Sequence, residues 1–368
     1  GFGRTGTVDW QTTPKTATFT AVSGEGYFCN TSGGAFTVNL PAGVAGAIVS
    51  LADYAATWQT SNVTVSPNGT DKIGSLNQNA VLSTEGQSVT FVFVDSTQGW
   101  INTMDSTSNV RGAPPYIIAS VSGACNTLTT VDTNFKLATF TGPGTFTVCS
   151  VAVSAADNAV AYMVIAGGGG NGNAGSGGGA GGFREGTTAP IVPYTASPLV
   201  NSSGITVTAQ AYSISIGAGG GDAAQGSNTT ALGITSTGGG NGGNRPGGGG
   251  AGGSGGGASD YSTSPGGTGN SPPVSPPQGN PGGSGSSGEN GGGGGGALSA
   301  GGNASGVPGT GATTQITGSA VIYAAGGAGD GASPAPGPAT PRANTGGGSS
   351  TAAPGAGSGI VIIRYRFQ

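Results

Sequence analysis

The chain has 368 residues, 81 of them glycine, with a net charge of −4, only 7% charged residues and no histidine. The missing histidine excludes nucleophile pairs that use an imidazole base, and zinc sites built on His. The ten Lys and Arg residues are scattered, which excludes an electrostatic nucleic-acid footprint, and no apolar run reaches the ~18 residues of a membrane-spanning helix.

Residues 1–8 (GFGRTGTV) read as a linker. From 9 to 104 the pattern is β throughout. TATFTAVSGEGYFCNT (16–31) reads strand, turn, strand, and GAFTVNLPAG (34–43) places Phe36, Val38 and Leu40 on one face. GAIVSLADY (46–54) is a further strand. NVTVSPNGTDKIG (62–74) holds a strand and an Asn68-Gly69 hairpin signal. SVTFVFVD (88–95) and GWINT (99–103) form a hairpin across residues 96–99. Short strands at near-regular spacing, with no credible helix, predict a small β-sandwich-like or β-prism-like module. Residues 105–115 read as a second linker, polar and then Pro-Pro. Strands resume over 116–166, where FKLATFTGPGTFTVCSVAV (135–153) predicts a hairpin turning at Gly142-Pro143-Gly144.

Residues 167–359 form a glycine-dense tract, entered from YMVIAGGGG and left through GIVIIRYRF, whose residues 360–368 read as a closing strand. Such composition usually means disorder, because too little apolar surface offsets the ordering entropy. Strand-like islands at 204–217, 228–237 and 314–327, short broken glycine runs and near-absence of charge argue instead for a folded tract. Glycine segments can form polyproline-II-type helices with three residues per turn. Lacking Cβ atoms, these pack side by side through N–H···O and Cα–H···O contacts. Collagen is a poor match, since GGGG and GGNGGNRPGGGG break a strict three-residue phase. The proline runs SPPVSPPQG (271–279) and SPAPGPATP (333–341) read as rigid turn-backs at the margin of a glycine layer.

No catalytic, metal or cofactor constellation emerges. Lys15, Lys72 and Lys136 lack phosphate-loop context, and GxGxxG strings carry no weight at this glycine density. Asp53, Asp71, Glu85 and Asp95 sit at turns and form no distinct glycosidase pair. Cys29, Cys125 and Cys149 read as buried small residues, with a Cys125–Cys149 disulfide as the alternative. Phe183, Arg184 and Glu185 read as a structural plug: Phe183 filling the sandwich, Arg184 pairing with Glu185 or a carbonyl. Arg245, Asp260 and Tyr261 fall in a mid-tract loop and, with Pro276 and Pro277, are candidate contact residues. Arg364 and Arg366 share one face of the last strand, expected to be solvent-facing or at a subunit contact.

The first module (DWQTTPKTATFTAVSGEGYFCNT … VTVSPNGTDKI … VTFVFVDSTQGWI) resembles a repeated domain of the tail fibres of marine tailed phages, particularly those of cyanobacteria. The remainder (VAYMVIAGGGG … GGAGGFREG … ITVTAQAYSISIGAGG … SPPVSPPQGN … ITGSAVIYAAGG … GSGIVIIRYRF) resembles the glycine-rich C-terminal domain of such fibres. Similar glycine layers occur in tip adhesins of T-even-like phages and inserted into a jelly-roll in a vertebrate receptor kinase ectodomain. Here the tract after AGGFREG is more diluted by Pro and Ser. The resemblance implies an all-β chain: a small N-terminal β-sandwich-like module, then a jelly-roll-like sandwich carrying polyglycine-II insertions, with no significant α-helix. It implies a non-catalytic, homotrimeric distal tail-fibre segment on the virion. Such a segment attaches to a host-surface glycan or protein, joins other tail proteins through its N-terminal side, and engages neither nucleic acid nor membrane. The alternatives are a subunit of an extracellular filament or surface layer, its last strand adding to a neighbour's sheet, and a polysaccharide-depolymerising fibre.

Overall fold

A computed structural model of the chain describes residues 8–106, 115–189, 191, 194–261, 263–288, 290–332, 343–352 and 355–368. Nearly all of the expected linker at 1–8, most of that at 105–115 and the proline run at 333–341 lie outside the described residues. The chain divides into two units, Gly1–Gly112 and Ala113–Gln368.

The first unit holds β1 (Asp9–Lys15), β2 (Phe19–Thr20), β3 (Glu25–Cys29), β4 (Phe36–Asn39), β5 (Ile48–Asp53), β6 (Val63–Ser66), β7 (Ala80–Leu82), β8 (Ser88–Asp95) and β9 (Gly99–Ser106). They build two layers, as expected, but the connectivity differs from a set of hairpins. One sheet has the order β1-β3-β5-β8-β9 and the other β2-β4-β6-β7. The first six strands alternate between the sheets, and within each sheet they pair in parallel. The chain therefore coils between two layers before β7, β8 and β9 close it antiparallel. Gly24 (φ +95°) marks one corner, where Glu25 N–H bonds the Val22 carbonyl. Corners between stacked sheets use the same turn residues as hairpins, so local signals do not separate the two topologies. Asn68-Gly69 is likewise a bend in the long β6–β7 connection, while the expected β8–β9 hairpin is present, Asp95 opposite Gly99. Phe36, Val38 and Leu40 face inward as the alternation required, packing with Tyr27, Leu51, Val65, Trp58 and Trp100.

In the second unit come β10 (Ile118–Ser122), β11 (Thr127–Thr130), β12 (Phe135–Phe140), β13 (Gly144–Ser150), β14 (Ala159–Ile165), β15 (Phe183–Gly186), β16 (Val200–Asn201), β17 (Ile205–Thr206) and β18 (Ala211–Ile214). They are followed by β19 (Thr229–Ala231), β20 (Ile234–Ser236), β21 (Ala312–Thr314), β22 (Val321–Tyr323) and β23 (Ile360–Arg366). The main sheet has the order β11-β12-β23-β14-β15-β16, with β17 on the start of β14; β10-β13-β18 form a second sheet. The protein is all-β; among the described residues the one helical turn is a 3-10 segment at Ala155–Asn158.

The 135–153 segment does not form the expected hairpin. β12 pairs with β11 and β23, whereas β13 pairs with β10 and β18 in the other sheet. The Asn126 side chain holds this crossing. It accepts from Thr141 N and Gly142 N and donates to the Ser122 and Pro143 carbonyls. The terminal strand β23 is paired on both sides, by β12 and β14. It offers no free edge to a neighbour, which removes the route by which the filament alternative would polymerise.

Residues in β14 and β23 are buried almost throughout because both faces of the main sheet are covered, and this is why they read as continuous apolar runs. On one face Phe140, Tyr162, Val164, Val361 and Tyr365 meet Phe146, Val148 and Ile214 of the second sheet. On the other, Leu137, Met163, Ile165, Ile360 and Ile362 meet Phe183 and the methyl groups of Ala180, Ala297 and Ala324 from the glycine tract.

The tract itself is a lattice with a three-residue repeat. Gly177, Gly178 and Gly179 donate their N–H groups to the carbonyls of Gly292, Ser349 and Gly240. The next three residues, Ala180, Gly181 and Gly182, donate to Gly295, Gly346 and Thr237, each three positions along the same three neighbours. Residues 292–297 repeat the pattern, donating to Ala258, Gly302 and Gly327 and then to Gly255, Ser299 and Ala324. Three directions visited in turn are the signature of a threefold polyglycine-II helix inside a bundle. Glycine is required because there is no room for more. A Cβ on Gly178 would lie 2.0 Å from the Gly169 oxygen, and one on Gly294 1.9 Å from the Gly178 oxygen. Alanine is admitted where the layer meets the apolar sheet.

Candidate functional site

The run after β14 travels outward to Asn171, bends at residues 173–175 and comes back to β15 at Phe183. The outward turns gather at the far end of the layer. Asn173 N–H bonds the Asn244 side-chain oxygen (3.0 Å), Arg245 N–H bonds the Asn173 side-chain oxygen (3.4 Å), and Asp260 N–H bonds the Ala174 carbonyl (3.1 Å).

These bonds bring together three residues marked from sequence. Arg245 Nη2 lies 3.3 Å from Asp260 Oδ2, and its guanidinium carbon stands 4.1 Å from the Tyr261 ring centre. Tyr261 is 58% exposed. The stacked cation contributes on the order of 0.5–1 kcal/mol at such an exposed position, and the solvated ion pair no more than about 1 kcal/mol. Both fix geometry more than they stabilise the fold. Asp260, Tyr261, Ser287 and Gly288 line a shallow open cleft. Asp260 Oδ1 is buried beside it and has no hydrogen-bond partner among the described residues. The cluster thus sets an exposed aromatic face, a guanidinium and a carboxylate oxygen unpaired among the described residues side by side, and Tyr and Arg are the residue types enriched where binding energy concentrates.

A family profile described as a glycine-rich domain matches residues 140–366. The chain belongs to this glycine-rich domain family. No curated protein shows significant similarity to the chain.

Within the glycine-rich domain the remaining marked residues lie elsewhere. Pro276 is half-buried and Pro277 exposed, in a loop at the sheet-proximal end of the layer. There Gln278, fully buried, accepts from Thr237 N through Oε1 (2.9 Å) and donates to the Pro272 carbonyl, while its own carbonyl accepts from Phe183 N. Asn270 closes the loop by accepting from Val274 N and Gln278 N. The loop is thus the rigid turn-back its prolines suggest, and it is not part of the Arg245 cluster.

Phe183 is a plug, 1% exposed beneath the main sheet. The expected Arg184–Glu185 pair is absent. Adjacent strand residues point to opposite faces, and Glu185 points inward with Phe183. Its carboxylate accepts from Ser197 N (2.9 Å) and from Thr314 Oγ1 (2.6 Å), clamping β15 to the hairpin β21–β22. Burial and this nearby carboxylate together push the Tyr194 phenol well above its ordinary range.

Arg364 also departs from expectation. It is buried rather than solvent-facing, whereas Arg366 is partly exposed and pairs with Asp157 at 3.3 Å. The carboxylates weighed for catalysis accept backbone N–H groups at turns: Asp53 from Thr57, Trp58 and Gly86, Asp71 from Gly43, and Asp95 from Thr97 and Gln98. All three cysteines are free; Cys29 is buried as expected, whereas Cys125, at the Thr141 corner, and Cys149, toward the far end of β13, are exposed rather than buried.

Sequence reading missed Asn173 and Asn244, which knit the outward turns. Their signal was present as asparagine flanking glycine in NGN (171–173) and GGNR (242–245), since Asn side chains bond local backbone at turns.

Proposed function

We propose that this chain is a non-catalytic attachment protein, a distal tail-fibre segment of a marine phage that acts as a homotrimer on the virion. In this reading the outward turns of its glycine lattice contact a host-surface glycan or protein. The carrying observation is the Arg245–Asp260–Tyr261 cluster, held at the turns of a layer whose packed interior carries only glycine, alanine and serine at most positions. A lattice bonded in three directions is a stiff support on which turn residues can vary at little cost to the fold. Weak contacts suffice for such a role, because copies on one particle multiply their effect.

The test is adsorption of the labelled, purified protein to a panel of cyanobacterial and other marine bacterial strains, with Arg245→Ala and Tyr261→Ala in parallel. Saturable adsorption to some strains, reduced at least about tenfold (~1.4 kcal/mol) by either substitution at unchanged melting temperature, supports the reading. No adsorption to any strain, together with absence of the chain from purified virions, overturns it. Loss of polysaccharide on incubation would transfer the protein to the depolymerase alternative.

A further inference from the structure

A second candidate binding site lies on the outer face of the five-stranded sheet of the first unit. One row of paired residues crosses all five strands: Trp10 opposite Gly26, Gly26 opposite Ser50, Ser50 opposite Thr90, and Thr90 opposite Met104. The middle of this row is low because its residues are small, and the two ends are tall. The result is a trough of about 170 Å³ lined by Trp10, Ser50, Ser88, Thr90, Met104 and Asp105, among others.

Each wall and floor group has a fixed position. The Trp10 indole lies over Gly26, where a Cβ would fall 2.7 Å from the ring, and beside Phe28 at 4.9 Å between ring centres. It is 40% exposed, whereas Trp58 and Trp100, the other two tryptophans of the chain, are fully buried core residues. On the floor, Ser50 Oγ and Thr90 Oγ1 are 2.7 Å apart, so one hydroxyl donates to the other and a hydroxyl hydrogen remains for the trough.

We propose that this trough binds a neutral pyranose sugar, the terminal ring of a glycan. A pyranose has a C–H face that lies on an aromatic ring and an equatorial rim of hydroxyls that both donate and accept. The trough supplies an exposed indole and a floor of hydroxyls able to do both, which together match that pattern. Its volume admits one ring and is too small for a strand or helix of a protein partner. Among the described residues no cationic side chain lines it, which disfavours phosphorylated or sulfated ligands. The site is independent of the outward-turn cluster and of the reading built on it.

Trp10 is the only solvent-exposed tryptophan among the described residues and so reports on its own site. The full chain is titrated with glucose, galactose, mannose, N-acetylglucosamine, cellobiose and chitobiose while indole emission and acrylamide quenching are followed. The expected result is a saturable millimolar response to at least one sugar, with Trp10 shielded from the quencher. Saturation-transfer NMR on variants then locates the site without needing the indole. Trp10→Ala and Ser50→Val should weaken binding at least about tenfold. Met104→Ala, at a side chain 65% exposed, should weaken it by about twofold to fivefold at unchanged melting temperature. Absence of any saturable response in folded protein overturns the proposal. So does sugar binding that survives Trp10→Ala and Met104→Ala but is lost in Tyr261→Ala, which would assign it to the outward turns.

Discussion

Arg364 and Asp132, 232 residues apart in sequence, meet at 2.6 Å with the guanidinium only 2% exposed and the carboxylate 44% exposed. The same guanidinium donates to the Ile316 carbonyl and stacks on Phe135 (4.8 Å) and Tyr194 (5.3 Å). One side chain thereby ties the last strand to the turn before β12 and to the loop after β21. Burial lowers the Arg364 pKa, and the Asp132 carboxylate opposes that shift. Removing the carboxylate leaves a desolvated cation without its counter-charge. Asp132→Ala should therefore destabilise the second unit by about 2–3 kcal/mol, less than a fully buried pair loses because Asp132 is half in water. Arg364→Met, which removes the charge and keeps the volume, should cost less than Asp132→Ala. Urea denaturation followed by circular dichroism orders the two, and the reverse order would refute the account.

The glycine lattice makes a positional prediction. Gly178→Ala and Gly294→Ala each drive a methyl group into a backbone oxygen at about 2 Å, and neither neighbour can move without breaking its own lattice bonds. Each should cost about 3 kcal/mol or more. Gly221→Ala meets nothing within 4 Å and has no positive φ, so it should be neutral or slightly stabilising. Three melting curves decide this. Equal midpoints would mean that the tract is not packed as described.

Much of the second unit was legible because its signals are local. The burial of β14 and β23 shows as unbroken apolar runs, and the strand islands in the glycine tract stand out against their surroundings. What stayed hidden was which strand pairs with which. TFTGPGTFT carries every hairpin cue, yet Asn126 diverts β13 to the other sheet, and a contact between positions 126 and 141 has no local signature. The parallel coil of β1–β6 was hidden for the same reason. Of the candidate site, the residue types were legible. The joining of Arg245 to Asp260 and Tyr261, and the separation of Pro276 and Pro277 from them, follow from how glycine helices lie side by side, which composition does not encode.

Gln278 offers a test of the proline loop as a structural clasp. Its fully buried side chain satisfies Thr237 N and the Pro272 carbonyl. Gln278→Ala leaves the half-buried Thr237 N–H and the Pro272 carbonyl without this partner and should cost about 1–3 kcal/mol. Pro277→Ser, at an exposed position, should change stability by no more than about 0.5 kcal/mol. If the protein adsorbs to cells as proposed, Pro277→Ser should leave adsorption unchanged, and its loss would place the loop in the contact surface.

Alkaline pH should unfold the first unit earlier than its low charge suggests. Burial, aided by the nearby Asp53 carboxylate, pushes the Cys29 thiol from 9.0 up to about 12. Burial and a hydrogen bond to Glu25 likewise push the Tyr27 phenol from 10.0 up to about 12. Both groups keep their protons in the folded state at pH values where the unfolded chain releases them. Their contribution is therefore fully present below pH 9 and is lost as pH rises from about 9 to about 12. Each group steepens the fall by at most about 1.4 kcal/mol per pH unit within its own window. Urea midpoints read from tryptophan emission at pH 8 and pH 10.5 should show the loss, and Cys29→Val should flatten the part that begins near pH 9. An unchanged slope in Cys29→Val would mean that the thiol is not held protonated by the core.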